Sequence, residues 1–207
     1  MHKTHEEDLC MHGEERFGFI SSRLYSFFSR FAMRKFYTSI IRDIAGSDPK
    51  KLLDVGGGDG RVISLLSKRL KKTVFYYVDP SPQMVELAMK RLHSKDGIPA
   101  SNIAAGSSRK VPFKFKFDMI ISTISFHHWN SKQESLKYLL GRLNAGGELR
   151  IYEFCLDRLK GVKRGAKAHA MSTSEAKNYS FKGFRRDIRI INGDVIVLSF
   201  KKTARNN

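Results

Sequence analysis

Cysteine is scarce in this chain, with 2 among 207 residues. Cys10 and Cys155 stand far apart and give no disulfide framework. No stretch is long and apolar enough to span a bilayer. No secretory leader pattern is visible either, which makes the cytosol the default compartment. Acidic residues are few: 20 Asp and Glu face 38 Lys and Arg, for a net charge of +18 and a pI near 10.1. Attraction to a polyanion is one reading of that excess. The cations, however, are spread from Arg61, Lys68 and Lys71 through Lys90 and Arg91 to Lys201, and a solvated basic surface accounts for them equally. Their densest local excess is Arg158, Lys160, Lys163, Arg164 and Lys167. An acidic acceptor, a phospholipid surface or RNA can each use such a cluster.

Two phosphate-binding signatures are missing as well. No Gly-Lys-Ser/Thr tripeptide follows the glycines at 56–60, so the chain has no P-loop. A dinucleotide fingerprint starting at Gly56 needs a small residue at its sixth position, and Arg61 stands there. His2, His5, Cys10 and His12 lack the spacing of a ligand set, so no metal is expected.

The segment that is there, Leu52-Leu53-Asp54-Val55-Gly56-Gly57-Gly58-Asp59-Gly60, is an apolar run entering a turn with glycine at three alternate positions. Val62, Leu65, Leu66 and Leu70 follow at helical spacing, so the unit reads as strand, glycine loop and helix. Its Asp-x-Gly-x-Gly-x-Gly pattern resembles the class I S-adenosylmethionine-dependent methyltransferases. The resemblance implies S-adenosyl-L-methionine as cofactor, held by Asp54, Gly56, Gly58 and Gly60. Backbone N–H groups suit its carboxylate, and Asp54 suits its ammonium. Thr73 to Val78 is a second strand ending in Asp79, about twenty residues past the glycines, where an acid accepts from ribose hydroxyls. Pro80 belongs to the same wall. Ser81 caps a helix with Pro82 at its first turn and Val85, Ala88, Met89 and Leu92 on its buried face. Met84 stands either against adenine or in the core.

A third element runs from Asn102 to Gly106, where the family places an acid that reads the adenine amino group. Ser107 and Ser108 stand there instead; serine can hydrogen-bond adenine but supplies no charged acceptor, and Gly106 and Ser107 are kept as candidates for the cofactor wall. Phe117 to Ser122 is a buried fourth strand running into Thr123-Ile124-Ser125-Phe126-His127-His128-Trp129. That string looks like the strand-end segment of the small-molecule branch of the family, which includes ubiquinone and menaquinone biosynthesis methyltransferases. The resemblance adds Ser122 and Ile124 to the cofactor wall. His127 is the candidate general base for a hydroxyl or phenol, because imidazole titrates near neutral pH, and its structural alternative is a histidine that shapes the pocket. His128 is a candidate for the acceptor pocket. Ser131 and Glu134 form a capping box for a helix with Leu136, Leu139, Leu140 and Leu143 on its buried stripe. Asn144 to Gly147 ends it, and Glu148 to Phe154 is a fifth strand with Glu153 near its exit, a base, an acceptor contact or a structural carboxylate.

Arg185 to Ile191 and Val195 to Lys201 alternate around Asn192-Gly193-Asp194, a hairpin signal. The resemblance implies an α/β three-layer sandwich with a seven-stranded, mostly parallel sheet in the order 3-2-1-4-5-7-6. Three segments are expected: a mobile tail over 1–15, a helical lid over 16–47 and the cofactor-binding domain over 48–203. In the lid segment Phe17, Ile20, Leu24, Phe27, Phe28, Phe31, Phe36, Ile40, Ile41 and Ile44 recur at helical intervals. Tyr25, Phe28 or Tyr37 would line the acceptor pocket. Two alternatives stand beside the lid: a stripe that only packs against the sheet flank, and an interfacial membrane helix, with Arg23, Arg30, Arg34 and Lys35 meeting anionic lipid.

The activity expected from all this is methyl transfer to a small-molecule acceptor, acidic or lipid-like, by in-line displacement. Two other classes stay open. The first is an RNA or protein methyltransferase, for which only basicity argues: the chain has no Asp/Asn-Pro-Pro-Tyr/Phe tetrapeptide, no Pro-Cys nucleophile and no separate RNA-binding module. The second is a non-catalytic protein that keeps the cofactor fold.

Overall fold

The computed structural model describes residues 29–159 and 170–203, with side chains from Met33 onward. The tail over 1–15, the candidates Tyr25 and Phe28 and most of the basic run after Arg158 lie outside the described residues.

Helix α1 spans Ser29–Ala45. Phe36, Ile40, Ile41 and Ile44 recur on one side of it and are all buried. Burial of each such side chain contributes roughly 1.5–3 kcal/mol. That apolar side is spent on the sheet, with Phe36 packed on Phe154 at 4.7 Å between ring centroids. The described part of the segment is therefore not a membrane-surface helix: its apolar face has no lipid to meet.

Strand β1 (Lys51–Val55) leads through the glycine loop into α2 (Arg61–Ser67). Strand β2 (Val74–Asp79) follows, then α3 (Pro82–Ala88), which continues as a π turn over Met89–His93. Ser81 caps α3 as expected, its hydroxyl accepting from Met84 N at 3.4 Å. The short β3 (Ile103–Ala105) and the longer β4 (Phe117–Thr123) come next. Helix α4 (Lys132–Gly141) then leads to β5 (Leu143–Cys155), and the Ser131 side chain makes no cap hydrogen bond, contrary to the capping-box expectation. Beyond come β6 (Ala170–Met171), α5 (Thr173–Lys177), β7 (Phe184–Ile191) and β8 (Val195–Lys202). Ser172 caps α5, its Oγ accepting from Glu175 N at 3.0 Å.

The sheet order is β3-β2-β1-β4-β5-β8-β7 with β6 added beside β5. This is the expected order plus one two-residue strand. Pairing is parallel from β3 through β5, and the β7–β8 hairpin closes the sheet antiparallel. Asn192 and Gly193 both take positive φ, 51° and 83°, the backbone a two-residue hairpin turn demands. Strand β4 leaves β5 at the pair Thr123 and Tyr152, and β6 pairs with Phe154 and Cys155 just beyond.

Both faces of the sheet are covered, which gives three layers. Along β8, Val195 and Val197 join the core on the α1 and α2 side, while Ile196, Leu198 and Phe200 join the core under α4. Because β1, β2, β4 and β5 are parallel, their exits stand together at one end of the sheet. Ligand sites of open α/β sheets form at that end. Among the described residues no helix is long and apolar enough to cross a membrane.

Candidate active site

The glycine loop leaves β1 and turns sharply because Gly56, Gly58 and Gly60 all take positive φ, at 69°, 55° and 76°. Gly56 has a reason beyond conformation. A Cβ on Gly56 would stand 2.0 Å from Ser125 Oγ, so only hydrogen fits. A Cβ on Gly58 would meet nothing within 4 Å, because this backbone borders open space. The loop is fixed from outside by Tyr77, whose hydroxyl donates to Gly58 O, and by Arg91, which donates to Asp59 O at 2.8 Å and its carboxylate at 2.6 Å.

Above the loop lies a cavity of about 260 Å³. Of the residues singled out in the sequence, Asp54, Gly56, Gly58, Asp79, Pro80, Met84, Ile124, His127 and His128 line it. Met33 and Tyr37 of α1 complete one side, and the Arg61 guanidinium sits over the Tyr37 ring at 5.6 Å. Tyr37 was one of three aromatics expected to face the acceptor. It is the one within the described residues.

Five expected site residues, Gly60, Gly106, Ser107, Ser122 and Glu153, fall outside the cavity lining. Gly106 and Ser107 form a tight turn with Lys110, in which Ser107 N and O pair with Lys110 O and N, and the Ser107 hydroxyl accepts from Arg109 N at 3.2 Å. Ser108 is buried against Ser135, hydroxyl to hydroxyl at 2.8 Å. Ser122 is fully buried in β4, and Glu153 is buried behind His127. Gly60 is a cap residue: it starts α2 and packs on Leu92.

Asp54 has no solvent exposure, and among the described residues neither carboxylate oxygen has a hydrogen-bond partner. Burial, and then the nearby charge of Asp79, push its pKa up to about 8. Asp79 is engaged differently. One oxygen accepts from Gly58 N and the other from Ser81 N, both at 2.9 Å. It links the glycine loop to the start of α3, and an ionised carboxylate has roughly four lone-pair sites, enough to accept further donors.

After β4 the chain kinks at Ile124, which takes φ of 49° and donates its N–H to Tyr152 O at 2.9 Å. A β-branched residue in that region is strained, at a cost on the order of 1–3 kcal/mol. The kink turns Ser125 toward Gly56 and starts the short helical turn Phe126–His128. Trp129 Nε1 donates to Ser125 Oγ at 3.3 Å and steadies it.

His127 is the element of chemistry this kink delivers. Its Nδ1 lies 3.2 Å from both oxygens of Glu153, and its backbone N–H donates to the same carboxylate at 3.3 Å. Burial pushes the Glu153 pKa up, and the His127 ring opposes that shift. The sequence shows both residues but not their pairing, since 26 positions separate them and they meet only because β4 and β5 are neighbours. Ser125 and Trp129 were likewise legible only as parts of the string that carries His127.

The residues fit the cofactor that the glycine pattern implies. A buried carboxylate with no protein donor suits an ammonium, and a glycine wall open on one side suits a ligand pressed against backbone. Among the described residues no group of His, Cys, Asp and Glu is arranged to hold a metal ion.

Comparison with known proteins agrees with this geometry. Residues 53–149 match the family described as a methyltransferase domain. The malonyl-[acyl-carrier protein] O-methyltransferase of Priestia megaterium is 30% identical over 103 residues, covering 50% of this chain and 36% of that protein. The demethylmenaquinone methyltransferase of Thermotoga maritima is 29% identical over 133 residues, 64% of this chain and 54% of that one. The chain thus spans about a third to a half of the curated relatives it matches. Among solved structures, the plantazolicin methyltransferase BpumL in complex with S-adenosylhomocysteine superposes with a TM-score of 0.63 at 16% identity, over 86% of this chain and 93% of that one. The neocarzinostatin-biosynthesis O-methyltransferase NcsB1, solved with S-adenosylhomocysteine and 1,4-dihydroxy-2-naphthoic acid, gives 0.64 at 18% identity, over 84% and 55%. Residues 53–149 thus match a methyltransferase domain, and the glycine loop and sheet order give the chain the fold of S-adenosylmethionine-dependent methyltransferases.

Proposed function

We propose that the protein transfers a methyl group from S-adenosylmethionine to a hydroxyl or phenol of a small-molecule acceptor, with His127 as general base. The pairing of His127 with a buried carboxylate beside the glycine loop supports this reading most strongly. When bound, the cofactor supplies a sulfonium-held methyl group. Asp54 would hold its ammonium, Asp79 its ribose hydroxyls, and Gly56 and Gly58 the backbone wall against which it lies. Met84, Pro80 and Ile124 would form the apolar border of the adenosyl part.

The protein's own work in the reaction is positioning and one proton transfer. Glu153 fixes the imidazole by accepting from Nδ1, so Nε2 is the nitrogen that takes the acceptor's proton. The buried Glu153 carboxylate then stabilises the imidazolium that forms, the arrangement by which an acid orients a catalytic histidine. Met33, Tyr37 and His128 shield the reacting atoms from water.

Of the two alternatives, the reading as an RNA or protein methyltransferase gains nothing from the pocket. A non-catalytic cofactor-binding protein would have no use for the His127–Glu153 pair. The small-molecule acceptors in the names of NcsB1 and the T. maritima relative make dihydroxynaphthoic acids and naphthoquinols reasonable first probes.

Methyl-labelled cofactor incubated with a panel of such phenols should yield a labelled product. His127→Ala should then lower kcat about 10²–10⁴-fold, the usual contribution of a positioned general base, while affinity for S-adenosylhomocysteine stays the same. A variant with wild-type kcat would remove His127 from the mechanism.

A further inference from the structure

The end of the sheet opposite the active site gathers positive charge that methyl transfer does not use. Three lysine pairs stand immediately before three parallel strands: Lys50–Lys51 at β1, Lys71–Lys72 before β2, and Lys114 with Lys116 before β4. In sequence they are scattered. Parallel topology brings them to one end, because β2, β1 and β4 are consecutive neighbours in the sheet and neighbouring strands lie about 5 Å apart.

All of these lysines are exposed except Lys51, which is half-buried. Among the described residues none of the six forms an ion pair. The acids nearby are fewer than the lysines. Asp118 keeps its charge at the start of β4, its oxygens accepting from the neutral donors Lys51 N at 2.9 Å and Asn144 Nδ2 at 2.7 Å. Asp48 and Asp96 stand in the loops before β1 and after the π turn.

The cations surround an apolar point. Val74, across from Lys51 in the β1–β2 register, is 44% exposed, and Phe115 is 37% exposed. These are two of the three large apolar side chains that stand out among the described residues. Phe115 is rigidly held. Tyr76 packs on it at 4.9 Å and Phe117 at 5.4 Å, Phe113 stacks at 5.9 Å, and Lys51 Nζ sits 4.7 Å from the ring centroid. The Arg142 guanidinium fixes the loop by donating to Phe113 O and Phe115 O.

This arrangement matters for what can bind. A nucleic-acid base would need an open aromatic face to stack on, and the Phe115 ring is already flanked by Phe113 and Lys51. What Phe115 and Val74 offer is an apolar tip ringed by ammonium groups. An anionic bilayer matches that pattern, taking apolar tips into its headgroup region and lysines against its surface charge.

We propose that this end of the sheet is a docking surface for anionic membrane lipid, with Phe115 and Val74 as its apolar contact and the three lysine pairs as its electrostatic one. The surface is independent of the active site. It would hold the enzyme on a membrane with the cofactor cleft at the far end, facing away.

The test is cosedimentation of the full chain with vesicles of phosphatidylcholine alone, and of equal parts phosphatidylcholine and phosphatidylglycerol. Binding to the mixed vesicles only, weakened by added salt, is expected. Lys114→Glu/Lys116→Glu should reduce it by about tenfold or more, and Phe115→Ser should reduce it while leaving charge unchanged. Lys90→Glu/Lys137→Glu, the same charge change on outward helix faces, should matter far less. Unchanged S-adenosylhomocysteine affinity in every variant shows that each still folds. The proposal is overturned by absence of binding at low salt, by equal loss in the two charge-reversal doubles, or by a single-stranded oligonucleotide that binds more tightly than the mixed vesicles and loses affinity in the Lys114/Lys116 double.

Discussion

Asp43 and Asp54 are both withdrawn from water, one near the end of α1 and the other in β1, and their surroundings treat charge in opposite ways. Burial acts to raise the Asp43 pKa, but hydrogen bonds from Arg189 and Tyr152 and the charges of Arg150 and Arg189 hold it below the usual range. Arg189 reaches Asp43 at 2.7 Å, Arg150 at 3.1 Å and the Tyr152 hydroxyl at 2.8 Å. Arg150 ties α1 to β5 by donating to Asp43 O at 3.0 Å as well, and also donates to Ser47 and Glu148. Asp54 has none of this. Its pKa rises to about 8 because burial is met by no cation and Asp79 adds a like charge. The contrast separates scaffold from proposed site: where the fold supplies the countercharge the carboxylate is a fastener, and where it does not the carboxylate is left without one, as the proposed ammonium site requires.

The largest way to break the comparison is at the fastener. Asp43→Ala leaves Arg150 with one carboxylate partner fewer in a mostly buried setting and should destabilise the fold by about 3 kcal/mol in a urea melt at neutral pH. With a lowered folded-state pKa, the Asp43 contribution is present above its unfolded pKa near 3.9 and fades as pH falls through the folded value. Acid unfolding of the wild type should therefore steepen below about pH 4, and Asp43→Ala should lack that component.

Asp54→Asn should do the reverse. The folded-state pKa lies above the unfolded one, so the stability associated with the neutral carboxyl is present below pH 4 and is lost as pH rises through about 8. The amide avoids that loss, so the variant should gain on wild type in melts taken from pH 5 to pH 9. Its affinity for S-adenosylhomocysteine should nonetheless drop about 10- to 100-fold, the worth of one charge-assisted hydrogen bond. A variant less stable at pH 9 and unaltered in binding would show that Asp54 is a fastener after all.

A smaller effect follows from the same shift. An ammonium beside Asp54 favours its ionised form, so binding below pH 8 must release a proton. Affinity should then rise with pH by up to about tenfold per unit and level off near 8. Titrations in buffers of different ionisation enthalpy check this, since the observed heat should track the buffer.

How far these sites could be read in advance depended on how local their causes are. The Asn192–Gly193 hairpin and the glycine loop were legible because positive φ selects its own residue types. The buried stripe of α1 was legible through its helical period. The β6 strand was not: Ala170 and Met171 pair with β5 only because β4 ends early, a fact held by no local pattern. Ser107 stands by position where an acid was expected, and the turn it makes with Lys110, with its hydroxyl accepting from Arg109 N, is announced by no local pattern. His127 and Glu153 could each be named, but their pairing, like the gathering of the lysines, is a property of strand order. Charge in particular reads as scattered until parallel topology aligns the strand starts.

The most direct test of the site is a calorimetric titration of S-adenosylhomocysteine into the wild type and Gly58→Arg. The variant adds a side chain where the structure leaves open space, at a position whose positive φ also makes any side chain strained, so circular dichroism must first show that it folds. One-to-one binding by the wild type, lost in the folded variant, is the expected result. Equal affinity in the two proteins, or no binding by the wild type, would contradict the assignment of the glycine loop and its two aspartates to the methyl donor.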